Sequence, residues 1–269
     1  VTGNSSTGNR PASRRTDGRT LVFAEEFDGP ELDPGIWLPH YLPAWSSRSE
    51  TAATYSISDS CLRLSIPVHQ RRWLADSHAP LRVSGVQSGN GSGPVGGTAG
   101  QQPPYEGAVV HEAQPEFAGW TPSGGYLEMR MRATISPRSM FAWWMVGLED
   151  IPARSGEICV AEIFGDTVTS QPSAAVGTGL HPFRDPDLLD DFVAQPLPID
   201  VTQFHTYAVD WTPESVSFFV DDEFIRRCPD PPTYPMQMML AVFDFPDRSN
   251  GQDDHLVPEL IVDHLRGYV

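Results

Sequence analysis

The ten residues Gly156-Glu-Ile-Cys-Val-Ala-Glu-Ile-Phe-Gly165 place two glutamates, Glu157 and Glu162, inside an apolar, β-prone run. Burying a carboxylate without a partner is costly, so a pair of them in such a run needs a reason. Along a strand, successive side chains point to opposite faces. Glu157 and Cys159 then share a face, and Ile158 and Val160 face the core. Strict alternation would put Ala161 beside Glu157 and drive Glu162 into the core. One extra residue, a β-bulge near Val160–Ala161, returns Glu162 to the face of Glu157 and sends Ile163 inward. Bulges are over-represented next to active sites because they re-aim a side chain in this way. The two backbone positions are then roughly 13 Å apart by strand rise. Two acids on one face suit general acid–base and nucleophilic work on one bond.

The rest of the chain sets the frame for this strand. Its 269 residues suffice for one large β domain, and 39% of them are hydrophobic, with seven Trp and thirteen Phe. Short β-prone runs alternate with turn residues. Cys61–Ile66 and Gly125–Ala133 alternate apolar and polar residues at period two. Similar runs occur at His205–Trp211, Ser215–Val220, Met236–Phe243 and Leu260–Tyr268. Many short strands with turns between them predict an all-β sandwich or jelly roll, a single domain over residues 21–269. Residues 1–20 hold almost no large apolar side chain and read as a flexible N-terminal tail or linker. Ser84–Gln102 is Gly-rich and reads as a nearly structureless insertion, either functional or disordered.

Charge and composition exclude several roles. A formal net charge of −17 repels phosphate backbones and anionic lipid surfaces, which argues against nucleic-acid and membrane partners. A neutral substrate remains. No run of about 18 uncharged apolar residues is present. Cys61, Cys159 and Cys228 match no zinc or redox spacing; they allow one disulfide at most, with Cys61–Cys228 as a candidate pair. Trp45 and Arg48, in the loop Pro43-Ala-Trp-Ser-Ser-Arg48, suit a binding platform, an aromatic face beside a hydrogen-bond donor. Trp120 and His181 sit at similar loop or strand-end positions. Parity over Met140–Trp144 puts Met140, Ala142 and Trp144 on one face and Phe141 and Trp143 on the other, so Trp143 reads as core. The acidic run Asp185–Asp191 reads as a solvated loop.

The Gly156–Gly165 run resembles the signature of glycoside hydrolase family 16, the laminarinase-type β-glucanases and their relatives, in its bulged Glu-x-Asp-x-x-Glu form. Flanking segments agree in order. Phe23-Ala-Glu-Glu-Phe-Asp-Gly29 with Leu32-Asp33 and Trp37 is similar to the family's first strand. Gly124-Gly-Tyr-Leu-Glu-Met-Arg130, Phe141-Ala-Trp-Trp144, Phe204–Pro213, Val220-Asp-Asp222 and Val262–Tyr268 are similar to later ones. The resemblance implies a curved, concanavalin A-like jelly roll with a catalytic cleft on the concave sheet. It implies a secreted, monomeric, retaining endo-glycosidase acting on a β-1,3- or mixed-linkage glucan. Glu157 would be the nucleophile and Glu162 the acid/base, protonated at rest. It also implies Trp144 and His181 in the cleft, no cofactor for the reaction, and a structural Ca²⁺ at Glu26 and Asp263. Two departures stand out. Cys159 occupies the place of the family's central Asp, and Ile151–Ser155 and Met140–Trp144 carry fewer tryptophans than the family places there. The departures leave open a carbohydrate-binding jelly roll with little turnover, a transglycosylase, or a galactan-directed member.

Overall fold

Period-two alternation puts one face of most strands into a shared core, and two antiparallel sheets packed face to face are the result. The computed structural model describes residues 14–74 and 81–269. One sheet runs in the order Glu223–Pro229, Ser215–Val220, His205–Trp211, Gly125–Thr134, Glu259–Tyr268, Cys61–Ser65, Tyr55–Ser58, with Leu21–Glu25 also pairing Glu259–Tyr268. The second runs Asp191–Leu197, Ala174–His181, Glu157–Phe164, Ser139–Gly147, Met236–Asp244, Arg82–Gln87. The Glu157 strand is therefore central in the second sheet, paired on both sides. No helix among the described residues is long and apolar enough to cross a membrane.

The core lies between the sheets. The first sheet contributes Leu127, Met129 and Val209, and the second contributes Phe141, Trp143 and Met145. Met140, Ala142 and Trp144 turn away from it into a separate cluster with Phe243 on the outer face of the second sheet. The parity expected for Met140–Trp144 is the parity observed.

Three expectations are corrected. The Gly-rich segment is not structureless from Ser84: Arg82–Gln87 is a buried strand paired with Met239–Asp244. Its glycines hid it, yet Gly85 serves close strand packing, since an added Cβ would meet Ala241 at 3.0 Å. Further on, a Cβ at Gly100 would strike the Trp45 indole at 2.7 Å. The expected tail is shorter at its C-terminal side. Arg15 lies 3.9 Å over the Phe219 ring and Arg19 pairs with Asp210 at 2.7 Å, so 15–20 is pinned to the first sheet. Residues 1–13 lie outside the described residues. All three cysteines are free thiols. The strands of Cys61 and Cys228 are separated by four others in one sheet, about 24 Å by strand spacing, which no disulfide spans.

Candidate active site

The bulge is where the residues require it. On one side of the Glu157 strand, Trp143 faces Ala161 and Trp144 faces Cys159, so Val160 has no counterpart. On the other side, Gly177 faces Glu162 and Gly179 faces Cys159, with the same shift. Ile158, Val160, Ala161 and Ile163 all join the core. Glu157 and Glu162 consequently line one pocket on the outer face. That pocket has a volume of about 420 Å³.

Burial sets the protonation of the pair. Glu157 is 8% exposed, and burial together with the Glu162 charge pushes it up to about 8. Burial also raises Glu162, whose side chain is more open. Burial thus pushes both carboxylates toward their protonated forms, and Glu157 is the deeper of the two. Burial and then the two carboxylates raise the Cys159 thiol well above its ordinary value. That thiol points to the Gly177 carbonyl at 3.8 Å and supplies no hydrogen bond to Glu157. Burial and both carboxylates likewise keep the Tyr41 phenol protonated.

The hydrogen bond to Glu157 comes from Gln102, a residue the sequence reading did not single out. Its Nε2 donates to Glu157 Oε2 at 2.7 Å, and its Oε1 accepts from Trp144 Nε1 at 3.2 Å. Gln102 takes a left-handed backbone, φ 41°, and its N–H donates to Glu149 Oε1 at 2.7 Å. Arg184 pairs with Glu149 and donates to the Gly100 carbonyl at 3.2 Å. The end of the Gly-rich segment thus carries Gln102 over the carboxylate. Because this bond favours the ionised form of Glu157, Gln102→Ala should raise the Glu157 pKa. A charge-assisted bond of about 1.5–3 kcal/mol corresponds to a loss of about 10- to 100-fold in kcat/KM near neutral pH. The acidic limb of the kcat/KM–pH profile should move to higher pH; an unmoved limb would show that the bond does not tune Glu157.

The other expected site residues divide. Trp144 stands on the pocket face, opposite Cys159. His181 lies directly across from Glu157 on the neighbouring strand, stacks on Phe192 at 4.8 Å and approaches Asp190 at 3.4 Å. A Cβ at Gly177 would strike the Phe192 ring at 2.4 Å, so Phe192 lies over the glycines beside the pair. Trp45 is corrected: it is 2% exposed, with Nε1 donating to the Gln101 carbonyl at 2.7 Å, because the glycine-rich segment folds over it. Arg48 is corrected too; its Nε donates to Gln114 Oε1 at 2.9 Å, tying down its own loop, and it does not line the pocket. Trp120 stacks on Phe23 at 3.9 Å, next to Gly267 of the first sheet, away from the pair. Asp185 is not a solvated carboxylate; it is buried and accepts from Tyr234 at 2.6 Å.

Glu26 and Asp263 do not suit a calcium ion. Arg266 holds Glu26 through two bonds at 2.6 and 3.0 Å, and Arg130 and His264 hold Asp263 at 3.1 and 3.0 Å. A hard cation needs six or more oxygens, and these two carboxylates already have cationic or N–H partners. No group of three or more His, Cys, Asp or Glu able to hold a metal occurs among the described residues.

The chain is thus a two-sheet antiparallel sandwich with a carboxylate pair in an aromatic-lined pocket. Residues 123–255 match the family Glycosyl hydrolases family 16. The chain belongs to that family, and its fold is the family's jelly roll. A glucan endo-1,3-beta-glucosidase of Cryptopygus antarcticus is 33% identical over 105 residues, 37% of each chain. A beta-glucanase of Rhodothermus marinus is 33% identical over 88 residues, 27% of this chain and 31% of that one. The matched segments thus span about a third of each of these curated relatives. Among solved structures, a GlcNAcα1-4Gal releasing endo-β-galactosidase of Clostridium perfringens superposes with TM-score 0.80 at 24% identity, covering 93% of this chain and 62% of that one. The laminarinase catalytic domain of Thermotoga petrophila RKU-1 gives TM-score 0.64 at 17% identity, covering 93% and 98%.

Proposed function

We propose that this protein is a retaining endo-glycosidase that cleaves a neutral β-linked polysaccharide, a β-1,3- or mixed-linkage glucan in the first instance. The observation that carries this reading is the bulge at Val160, which turns Glu157 and Glu162 into one aromatic-lined pocket. The two curated relatives, both glucan-directed by name, support the substrate class.

Glu157 attacks the anomeric carbon while Glu162 protonates the departing oxygen; Glu162 then takes a proton from water, which releases the sugar from Glu157. For this, Glu157 must be ionised and Glu162 protonated when the sugar is bound. Positive charge growing at the anomeric carbon beside Glu157 favours its anion, and the Gln102 N–H favours the same form. Once Glu157 is ionised, its charge raises Glu162, which becomes the acid. A polymeric substrate of this kind is met outside the cell, in keeping with a secreted protein.

The second reading is a carbohydrate-binding jelly roll with little turnover. Cys159 favours it, since the thiol bonds to Gly177 and leaves Glu157 with Gln102. Reducing-end release from a panel of β-glucans and galactans, with Glu157→Gln as control, separates the two. Hydrolysis predicts release by the wild type and loss in the variant. Equal rates from both proteins would reject it, and binding without release would support the second reading.

A further inference from the structure

Tyr41 enters the pocket from a loop, and that loop is pinned on both sides of it. Leu38 and Gln87 exchange backbone bonds at 2.8 and 3.0 Å, and the Tyr41 N–H donates to the Thr51 carbonyl at 3.1 Å. Leu42 follows with a left-handed backbone, φ 43°, and its N–H donates to the amide oxygen of buried Gln87 at 2.9 Å. The same amide donates to the Gly89 carbonyl at 2.6 Å, which fixes its orientation. A left-handed backbone is unfavourable for a residue with a side chain, and it persists where the surroundings over-determine it, notably at functional sites. Gln102 and Phe183 line the same pocket with the same backbone, φ 41° and 47°.

The Tyr41 ring is held on three sides. It meets Trp73 at 4.9 Å, Phe243 at 5.5 Å and Trp144 at 6.3 Å, with ring planes 71°, 88° and 63° apart. Its hydroxyl, by contrast, forms no hydrogen bond with any described residue and stays open to the pocket. It lies close enough to feel the charges of both Glu157 and Glu162. The groups around it are engaged or closed off. Gln102 is bonded at both amide atoms, the Trp144 N–H goes to Gln102, and the Trp73 N–H is unpaired but sealed from water. A sugar hydroxyl that enters the pocket gives up water and needs a partner. A phenol both donates and accepts, and one already held in place meets that hydroxyl at little entropic cost.

We propose that the Tyr41 hydroxyl bonds to one hydroxyl of the sugar unit bound beside Glu157 and Glu162, and so selects for sugars that carry it. This rests on the reading of the pocket as the glycosidase site. Tyr41 is then a specificity residue and takes no part in moving the proton between Glu162 and the substrate.

The test uses the β-glucan or β-galactan oligosaccharide that the wild type cleaves fastest or, failing cleavage, binds tightest. Its monodeoxy analogues, each lacking one hydroxyl beside the scissile bond, complete the set. Tyr41→Phe keeps the ring and its packing, so its melting temperature should stay near that of the wild type. Its kcat/KM on the parent should fall about five- to tenfold. One analogue should cost the wild type a similar factor and cost Tyr41→Phe nothing further, because the partner is already gone. Calorimetric binding of the same set to Glu157→Gln, with and without Tyr41→Phe, should show the same coupling. An unchanged parent rate in Tyr41→Phe, or losses that simply multiply for every analogue, would overturn the contact and leave hydrolysis standing. Coupled binding without cleavage by the wild type would overturn hydrolysis and leave the contact.

Discussion

Inserting one alanine between Val160 and Ala161 should abolish activity and destabilise the protein, whereas deleting Val160 should leave it folded. The contrast follows from strand parity together with the spacing of the two glutamates. Val160 is the extra residue, and without it Glu157, Cys159 and Glu162 still share a face, because four steps then separate the two glutamates. The deletion removes a buried valine from the core and should cost about 1–3 kcal/mol. The insertion makes six steps, which keeps the shared face but lengthens the run between the two glutamates to roughly 20 Å. It also slips every residue after it against both neighbouring strands, so Glu162 leaves its place opposite Ala142 and Gly177. Chemical denaturation, read with the activity of each variant, checks both halves. A stable, active insertion variant would show that the spacing and register of Glu162 do not set activity.

Glu157→Gln and Glu162→Gln should both lose turnover on polysaccharide, and differ on an activated substrate. Removing the nucleophile stops the glycosyl-enzyme from forming with any leaving group, a loss of at least about 10³-fold. Removing the acid costs about 10²–10⁴-fold where the leaving oxygen needs a proton. A dinitrophenyl glycoside leaves as a stable anion and needs none. Bond cleavage by Glu162→Gln should then be close to wild type on that substrate, seen as a pre-steady-state burst, while Glu157→Gln stays inactive. The reverse pattern would exchange the two roles. Glutamine keeps the shape of each side chain, so the comparison reads charge and proton rather than packing.

How much of this was legible in the sequence depends on the distance over which each feature is decided. Strand parity is local, so the bulge, the shared face of Glu157 and Glu162, and the opposite fates of Trp143 and Trp144 could be read from adjacent residues. Burial of a loop residue is not local. Trp45 looks exposed in a Pro- and Ser-rich loop, yet a segment more than fifty positions away covers it and accepts its N–H. Gln102 lies 55 positions from Glu157, and no local period marks it; the one signal was its place at the end of a glycine-rich run in a compact domain. Glu26 and Asp263 matched metal positions by resemblance, but the guanidinium groups that hold them come from neighbouring strands. The strand Arg82–Gln87 was hidden because Ser84 and Gly85 break its pattern while the fold buries both of its faces.

The stereochemistry of the first product tests the central claim most directly. Proton NMR during the first minutes of hydrolysis of a β-linked oligosaccharide resolves the two anomers before mutarotation mixes them. With Glu157 as nucleophile and Glu162 as acid/base, the β-anomer appears first and the α-anomer grows in later. Appearance of the α-anomer first would mean direct attack by water, and would contradict the account of this pair.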